Sequence, residues 1–291
     1  VLKQIKGGEH EMVIVDNGSI DNTSDKVRQQ IKNGKNIKLV VLSRNFGYQG
    51  GIDAGISHCT GDWAFIIDAD LQDPPEILGD MLKKAETDSL DVVYGLRKTR
   101  EETVFRKFCY WLFYRIWRLT ANIPVVVDSG DCCLISRQAL DIVKSMPERI
   151  RFFRGQRLWI GFNHGGVEYH RVDRTRGETK FNFLAAVSLA FDGIYSYSFF
   201  PIRLITIVGI AVLLMLFTVV GLYGIGRILV SLFGSPFIFP LLPDGLTIIQ
   251  LFFAVFFGVN FILLGFVGEY VARIYDEVRA RPRFIVKSIE D

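Results

Sequence analysis

Residues 65–75, FIIDADLQDPP, give the clearest indication of how this chain folds. In it, an apolar run leads into two carboxylates, Asp68 and Asp70, and two prolines then stop the strand. A short apolar run is typical of a buried parallel strand, and open α/β sheets bind ligands beyond the carboxyl ends of such strands. Carboxylates at that place suit a hard cation such as Mg²⁺, which binds protein oxygens together with the phosphates of a nucleotide. The alternative is that both aspartates only form a turn before a helix.

Around this stretch, apolar β-branched runs alternate with polar segments that suit helices. This alternation predicts an α/β domain with a parallel, doubly wound sheet and the spacing of a nucleotide-binding domain. The predicted strands are residues 12–15, 38–42, 64–67 and 91–94, and the predicted helices are residues 22–33, 48–58 and 75–85.

Two segments without charged residues, 204–223 and 246–267, predict transmembrane helices near the C-terminus. Each holds about 20 residues, which at about 1.5 Å per residue span a hydrocarbon core of about 30 Å. Hydrophobic residues make up 49% of the 291 residues, and their excess is concentrated in this region. A buried core helix is rarely apolar on all sides over such a length, which favours membrane spans.

The positions of the cations predict the orientation in the membrane. The connection between the two segments, residues 224–245, holds Arg227 and Asp244 as its charged residues. Five cations follow the second segment, namely Arg273, Arg279, Arg281, Arg283 and Lys287. By the positive-inside rule, an inner-membrane protein with a cytoplasmic catalytic domain and two cytoplasmic termini is expected. The net charge of +3 suggests attraction to anionic lipid headgroups and excludes nucleic acid as the expected partner.

Two further segments predict helices at the membrane interface. Residues 106–120 combine aromatic side chains with basic ones, and a packed amphipathic core helix is the alternative. Residues 181–202 lead into the first membrane segment. The predicted organisation is therefore a cytoplasmic catalytic domain at residues 1–180, two membrane helices at residues 203–270 and a cytoplasmic tail at residues 271–291.

A second polar motif, DNGSIDNT at residues 16–23, follows the first predicted strand. Asp16 at the strand end could accept a hydrogen bond from a nucleobase or ribose, and Gly18 permits a tight turn. A plain strand-turn-helix connection explains the same residues equally well, because Asp21 or Asn22 can cap the next helix.

Taken in order, the polar motifs of this chain resemble those of family 2 glycosyltransferases of the GT-A fold. They are VDNGSIDNT, LSRNFGYQGGIDAG, DADLQDPP, SGD at residues 129–131 and RTRGETK at residues 174–180. With its two membrane segments and the ending GEYVARIYDEVRARPRF, the chain is similar to the polyprenyl-phosphate glycosyltransferases, including bactoprenol glucosyltransferases, and more distantly to dolichyl-phosphate mannose synthase. The resemblance covers essentially the whole chain. It implies a Rossmann-like GT-A domain with a mostly parallel sheet, joined to interfacial helices and a two-helix transmembrane domain.

The same resemblance implies roles at the sugar donor. Asp16 would contact the uracil or ribose, and Asp68 would contact the nucleotide sugar. Asp70 would hold Mg²⁺ or Mn²⁺ against the diphosphate, with Gln72 as a further ligand. A basic loop would close over the phosphates, and its residues are Arg174, Arg176 and Lys180.

At the acceptor, Asp131 matches the acidic residue proposed as catalytic base in the family, while Arg97 and Arg106 match residues that bind the lipid phosphate. A phosphate monoester has its second pKa near 6, so the acceptor already carries a nucleophilic oxyanion at neutral pH. Asp131 could therefore orient groups instead of removing a proton, or could be a buried structural carboxylate. For the arginines, a solvated basic surface is the alternative.

Together these roles predict transfer of a single sugar from a UDP-sugar to undecaprenyl phosphate, and the resemblance implies that this sugar is glucose. The reaction would invert the anomeric carbon at the cytoplasmic membrane face and serve modification of cell-surface glycans such as O-antigen. The alternatives are a mannose synthase using GDP-mannose, a processive polysaccharide synthase, which would need more spans, and an inactive membrane anchor that binds nucleotide sugar. Membrane lipids are expected partners, and the resemblance also allows a flippase, a downstream glycosyltransferase and a homo-oligomer.

One family feature is missing from this sequence. The family opens with a strand carrying a Val-Ile-Pro-x-Tyr-Asn-Glu pattern, whereas this sequence begins at Val1 in what would be the following helix. Without that strand, residues 12–15 would form a strand with an unpaired edge. Either the strand precedes the given sequence or the protein is a defective relative, and the intact later motifs favour the first explanation.

Overall fold

The computed structural model describes residues 8–98, 129–170, 200–233 and 245–291, with residues 111, 112, 115, 117–121, 123, 124, 126, 193 and 195–198. Four predicted site residues lie outside these described residues, namely Arg106, Arg174, Arg176 and Lys180. The chain divides into two compact units, one of Val1–Ser198 with Arg279–Asp291 and one of Phe199–Val278.

The first half of the first unit alternates strands and helices in the predicted order. These elements are β1 (Met12–Asp16), α1 (Thr23–Lys32), β2 (Ile37–Leu42), α2 (Gly47–His58), β3 (Trp63–Ile66), α3 (Ile77–Asp88) and β4 (Val92–Arg97). Each begins and ends within about three residues of its predicted bounds, as expected for boundaries inferred from periodicity. The predicted α/β class is therefore confirmed.

Further elements complete two mixed sheets. They are β5 (Ser129–Ser136), α4 (Arg137–Ser145), α5 (Phe153–Trp159), β6 (His164–Tyr169) and β7 (Val286–Glu290). The strand orders are β1-β2-β7 and β3-β5-β4-β6. The pairs β1-β2 and β4-β6 are parallel, whereas β5 and β7 run antiparallel to their neighbours. The resemblance implied a mostly parallel sheet, but both sheets are mixed, because β5 and β7 run opposite to the strands beside them.

β5 lies inside the second sheet and is buried on both faces. Cys133 and Ile135 belong to the core cluster that includes residues of α2, α4 and α5, whereas Cys132 and Leu134 pack with α3. Successive side chains of a strand point to opposite faces. Asp131 therefore shares the face of Cys133 and Ile135, toward α2 and α5.

Within the described residues, β1 is an edge strand that pairs with β2 alone, as expected from the sequence. At the other edge of this sheet, β2 pairs with β7 from the C-terminal end of the chain. Residues 271–291, predicted as a tail, thus belong to two units. Residues 271–278 lie in the last helix and in the second unit, whereas Arg279–Asp291 belong to the first unit and include β7. The alternation of half-buried and exposed side chains along Val286–Glu290 fits an edge strand with one face covered.

The second unit consists of α6 (Phe200–Phe233) and α7 (Gly245–Arg279), both long and apolar enough to cross a membrane. In α6, no charged residue lies between Arg203 and Arg227, and the first one in α7 is Glu269. Each uncharged stretch is about 35 Å long at about 1.5 Å per residue, enough for a hydrocarbon core of about 30 Å. Both predicted apolar helices are therefore found, and each is longer than predicted.

The segment predicted as an interfacial helix, residues 106–120, is helical at its described positions. Trp117 is buried and packs against Phe152 with ring centroids 5.3 Å apart, whereas Trp111 and Leu119 are exposed. The described part of this helix therefore has one face packed in a core and exposed apolar residues elsewhere, and its contact with a membrane stays a prediction. Most of residues 181–202 lie outside the described residues.

Candidate active site

Two predicted acidic residues meet at one end of the second sheet. β3 and β5 are antiparallel with Ile66 opposite Cys133, and continuing this register places Asp68 opposite Asp131. Asp68 follows the end of β3 and is half-buried, whereas Asp131 lies within β5 and is only 4% exposed. The pairing of strands thus brings together two carboxylates that are far apart in the sequence.

The hydroxyl of Tyr48 connects these two carboxylates. It lies 2.9 Å from Asp68 Oδ1 and 3.1 Å from Asp131 Oδ2, within hydrogen-bonding distance of both. The pKa of Tyr48 is well above its ordinary value, first because of burial and then because the charges of Asp131 and Asp68 disfavour a phenolate. The hydroxyl therefore keeps its proton and can donate it to either carboxylate.

The start of α2, which carries Tyr48, is fixed by Asn17 from the turn after β1. Asn17 Nδ2 donates to Gly47 O at 2.7 Å, and Asn17 Oδ1 accepts from the backbone N–H of Phe46 at 2.9 Å. Gly47 has a φ of +79°, which residues with a side chain rarely adopt. The DNG turn and the GYQGG motif thus cooperate to place one side chain in the site.

Arg154 forms a bidentate ion pair with Asp131. Its Nε lies 3.0 Å from Oδ1 and its Nη2 lies 2.6 Å from Oδ2. Burial alone would raise the pKa of Asp131, but Arg154, Arg157 and the Tyr48 hydroxyl outweigh burial and hold that pKa below its ordinary value. Asp131 is therefore ionised at neutral pH, with both oxygens engaged, and this makes it a weak base.

Arg157 places a second positive charge behind Asp131. It is fully buried, and its Nη2 donates to the carbonyl oxygen of Gly130 at 2.7 Å. Its guanidinium lies 5.7 Å from the ring centroid of Tyr94 and 5.9 Å from that of Phe153. Arg154 and Arg157 are three residues apart on α5 and so lie on the same side of that helix.

The carboxylates after β3 form a concentration of negative charge. The pKa of Asp68 is raised, first by burial and then by the charges of Asp131, Asp70 and Asp73, against the lowering effect of the Tyr48 hydrogen bond. Asp70 is half-buried and its Oδ1 accepts from the backbone N–H of Gln72 at 3.1 Å. Such a cluster favours the approach of a cation that would neutralise it.

These carboxylates fit a divalent ion that binds together with a nucleotide. Among the described residues, no group of three or more His, Cys, Asp or Glu side chains has the arrangement of a preformed metal site. Mg²⁺ is usually held by one or two carboxylates with substrate phosphates and water, so such a group is not required. Asp70 could supply the carboxylate, while Gln72 contacts Asp70 through its backbone and leaves its side-chain amide free of hydrogen bonds to described residues.

Arg97 is anchored at the end of β4. The parallel register of β4 and β6 places Arg97 beside Tyr169. The hydroxyl of Tyr169 accepts a hydrogen bond from Arg97 Nε at 3.2 Å and donates one to the buried Asp73. Arg97 Nη2 lies 3.5 Å from Asp73 Oδ2. A Cβ at Gly130 would lie 2.8 Å from Arg97 Nη2, so a larger residue there would require the guanidinium to shift. Arg97 Nη1 makes no hydrogen bond to the described residues and could contact a phosphate.

Asp16, the predicted nucleoside ligand, ends β1 and is 4% exposed. Its Oδ1 accepts from the backbone N–H of Ser19 at 2.8 Å, and its Oδ2 accepts from the hydroxyl of Ser24 in α1. Burial alone would raise the pKa of Asp16, but these hydrogen bonds outweigh it and keep that pKa below its ordinary value. The contacts seen are those of the turn before α1, and a contact with the nucleoside stays a prediction.

The structure therefore brings Asp68, Asp70 and Asp131 together. Three further residues of this site, Tyr48, Arg154 and Arg157, were not predicted from the sequence. Tyr48 lies in the motif LSRNFGYQGGIDAG, which gave it a usable signal. The two arginines lie in RFFRGQRLW, where only the spacing of three residues sets them apart from a basic helix face.

Comparison with known proteins identifies the family of this chain. The family model described as glycosyl transferase family 2 matches residues 1–143. The uncharacterized glycosyltransferase YkcC of Bacillus subtilis (strain 168) is 36% identical over 289 residues, covering 99% of this chain and 86% of the relative. The prophage bactoprenol glucosyl transferase homolog of Escherichia coli (strain K12) is 32% identical, covering 99% and 92%. The bactoprenol glucosyl transferase of Shigella phage SfX is 33% identical, covering 99% and 91%.

Proposed function

The chain belongs to glycosyl transferase family 2 and is a glycosyltransferase, and we propose that it transfers glucose from UDP-glucose to a polyisoprenyl phosphate such as undecaprenyl phosphate. The observation that carries this proposal is the network in which Tyr48 connects Asp68 to the Asp131–Arg154 ion pair. Relatives named bactoprenol glucosyl transferase, 32–34% identical over nearly the full chain, support a prenyl phosphate acceptor.

At the donor, the leaving UDP develops negative charge that the site must stabilise. Asp70 is the residue proposed to hold Mg²⁺ or Mn²⁺ against the diphosphate, with Gln72 in reach, and Asp68 is proposed to contact the sugar. A divalent ion bound there would act as a Lewis acid on the phosphate oxygens. Contacts of Asp16 with the nucleoside, and of the loop residues with the phosphates, remain part of this proposal. Those loop residues are Arg174, Arg176 and Lys180.

At the acceptor, an oxygen of the lipid phosphate would attack the anomeric carbon as the bond from that carbon to UDP breaks. The phosphate is already an oxyanion at neutral pH, so this step needs no strong base. Asp131 is ionised with both oxygens engaged, and we assign it the role of holding Tyr48 and Arg154 in place. Arg97 would bind the lipid phosphate through its free nitrogen, with Arg106 as a second ligand.

A single displacement with inversion fits the side chains around the site. The nearest thiols, Cys132 and Cys133, are buried, and burial raises the pKa of both, which leaves them unreactive as nucleophiles. Both oxygens of Asp131 are engaged by Arg154, which disfavours an attack by this carboxylate on the sugar. Neither these thiols nor Asp131 is therefore suited to form a covalent glycosyl-enzyme.

The membrane orientation is also a proposal. The excess of cations after α7 over those between α6 and α7 supports a cytoplasmic catalytic unit with two cytoplasmic termini. A lipid-linked sugar made on that face would need a flippase and a downstream glycosyltransferase to reach cell-surface glycans such as O-antigen. Membrane lipids would surround α6 and α7, and a homo-oligomer is compatible with these partners.

The test is to incubate membranes holding the full chain with undecaprenyl phosphate and a panel of labelled UDP- and GDP-sugars. We expect labelled lipid from UDP-glucose, loss of product with a chelator, and recovery with Mg²⁺ or Mn²⁺. Asp70→Ala should abolish transfer, whereas Asp80→Ala, which removes an exposed carboxylate of α3, should not. Product from GDP-mannose alone would point to a mannose synthase, and no product from any donor would favour an inactive anchor. Full activity of Asp70→Ala would contradict the role of the metal.

A further inference from the structure

We propose that the C-terminal segment Arg279–Asp291, called the tail below, positions the active site by holding α2 through the Arg283–Asp53 ion pair. The helix α2 carries Tyr48, which touches both catalytic-site carboxylates, so Arg283 would be a positioning residue for transfer. This inference rests on the proposed function for its activity readout alone. Its structural part can be tested without turnover.

The tail is built into the first unit by three kinds of contact. β7 pairs antiparallel with β2, and the backbone N–H of Ser43 donates to Ile285 O at 2.9 Å. Phe284 and Val286 pack against the buried cluster of β2 and α2. Arg28 Nε lies 3.0 and 2.9 Å from the two carboxylate oxygens of Glu290. Backbone, apolar and ionic contacts thus fix the part of the tail that directly follows Arg283.

Arg283 reaches a buried carboxylate of α2. Asp53 is 3% exposed, and its Oδ2 lies 3.6 Å from Arg283 Nε and 3.4 Å from Arg151 Nε. Arg283 Nη1 also lies 3.4 Å from the carbonyl oxygen of Met146, after α4. One tail side chain therefore connects α2 with the segment that follows α4.

This ion pair is better suited to positioning than to stabilisation. The cost of removing charges from water can exceed their mutual attraction inside a protein. Here burial raises the pKa of Asp53 to about 7 even though the Arg283 charge opposes that rise. The carboxylate is ionised at pH 8 at a cost in stability, and in return it fixes the place of α2 relative to the tail.

From Asp53 the path to the site follows the short helix α2. Tyr48 lies five residues before Asp53, and between them Gln49 Oε1 accepts from the backbone N–H of Phe153 at 2.9 Å. Phe153 begins α5, which carries Arg154. The tail backbone is also near the first turn of α2, because a Cβ at Gly50 would lie 3.6 Å from Arg283 O. A displaced α2 would therefore misplace Tyr48 and its contact to α5.

The central experiment compares Arg283→Gln with Arg281→Gln in the purified full chain at pH 8. Both variants remove one charge from the tail, but the Arg281 side chain is exposed and makes no hydrogen bond or ion pair with the described residues. We expect Arg283→Gln to lower kcat about tenfold or more, with the KM for the donor within about twofold and partial recovery in Arg283→Lys. Equal kcat values for Arg283→Gln and Arg281→Gln would overturn the proposal.

Asp53→Asn removes the other partner of this ion pair. Because it also leaves the buried Arg151 without its carboxylate, we expect a lower Tm than wild type, and at a temperature at which the variant is folded its kcat should fall as in Arg283→Gln. In a Tyr48→Phe background, Arg283→Gln should lower kcat by less than about threefold further, since both act on the same group. Multiplicative losses, or an Asp53→Asn variant with wild-type kcat, would refute the path through α2.

Hydrogen exchange tests the same coupling without catalysis. In Arg283→Gln, the backbone amides of Gly47–His58 should exchange about tenfold faster or more, whereas in Arg281→Gln they should exchange at the wild-type rate. If the wild-type protein makes no lipid-linked sugar, the proposed function fails while this measurement still decides the role of the tail. If the amides of α2 exchange at the wild-type rate in Arg283→Gln, the proposed role of the tail is wrong even if the enzyme is active.

Discussion

Tyr48→Phe removes one oxygen from the centre of the site and leaves the ring in place. In the structure this oxygen lies 2.9 Å from Asp68 and 3.1 Å from Asp131. Without it the two carboxylates lose a shared hydrogen-bond donor, and Asp131 keeps Arg154 as its remaining close partner. We expect the variant to fold, because Tyr48 is 37% exposed and no core position is emptied.

The size of the effect follows from the charge of the acceptors. A hydrogen bond to a charged group contributes about 1.5–3 kcal/mol. If the enzyme uses this bond to hold both carboxylates in the transition state, its loss lowers kcat by about tenfold to about a hundredfold, at about 1.4 kcal/mol per factor of ten. The KM for the acceptor should change less, since the proposed phosphate ligands, Arg97 and Arg106, are untouched.

The assay measures kcat and both KM values for purified full-length protein with labelled UDP-glucose and undecaprenyl phosphate. Tyr94→Phe is the matched control, because it removes a hydroxyl that makes no hydrogen bond to the described residues from the same unit. The control should retain at least half of the wild-type kcat. If Tyr48→Phe and Tyr94→Phe behave alike, Tyr48 does not organise the carboxylates and the reasoning is wrong.

Two more predictions concern stability and backbone strain. Burial raises the folded-state pKa of Asp53 to about 7, against about 3.9 in an unfolded chain, so this group lowers stability as pH rises from about 4 to about 7. The Tm values at pH 5 and pH 8 should therefore differ less for Asp53→Asn than for wild type. An unchanged difference would contradict the raised pKa of Asp53. Leu71 lies between Asp70 and Gln72, has a φ of +57° and is 60% exposed. Leu71→Gly should leave the Tm within a few degrees of wild type, because glycine adopts this φ freely, and should lower kcat because the backbone beside Asp70 becomes more flexible. A wild-type kcat would show that activity does not need this backbone geometry.

Local sequence was enough to predict the alternating strands and helices of the first half and the two apolar helices. It did not reveal β5 or β7. The stretch SGDCCLIS starts with polar residues, and it becomes a strand because Cys133 and Ile135 pair with β3 and β4 from distant parts of the chain. β7 likewise forms only when residues after a long apolar helix return to β2. Such long-range pairing has no counterpart in the periodicity of either segment alone.

At the candidate site, too, the sequence indicated individual residues but not the contacts between them. Motifs were sufficient to select Asp68, Asp70 and Asp131, because DADLQDPP and SGD resemble motifs of this family. The connection made by Tyr48 depends on the register between β3 and β5 and on the position of α2. No motif states that register, so the hydroxyl between the two carboxylates could be found only in the structure.

The arginines around α5 show most clearly what spacing leaves open. Arg151, Arg154 and Arg157 recur every third residue, a pattern that by itself indicates one basic helix face in solvent. In the structure Arg151 contacts Asp53, Arg154 pairs with Asp131, and Arg157 is fully buried against the Gly130 carbonyl. One short segment therefore connects the ion pair of the tail with the carboxylate of the site. An Asp131 held in this way is kept ionised by two positive charges, and a group so stabilised as an anion is suited to orient its neighbours and poorly suited to accept a proton.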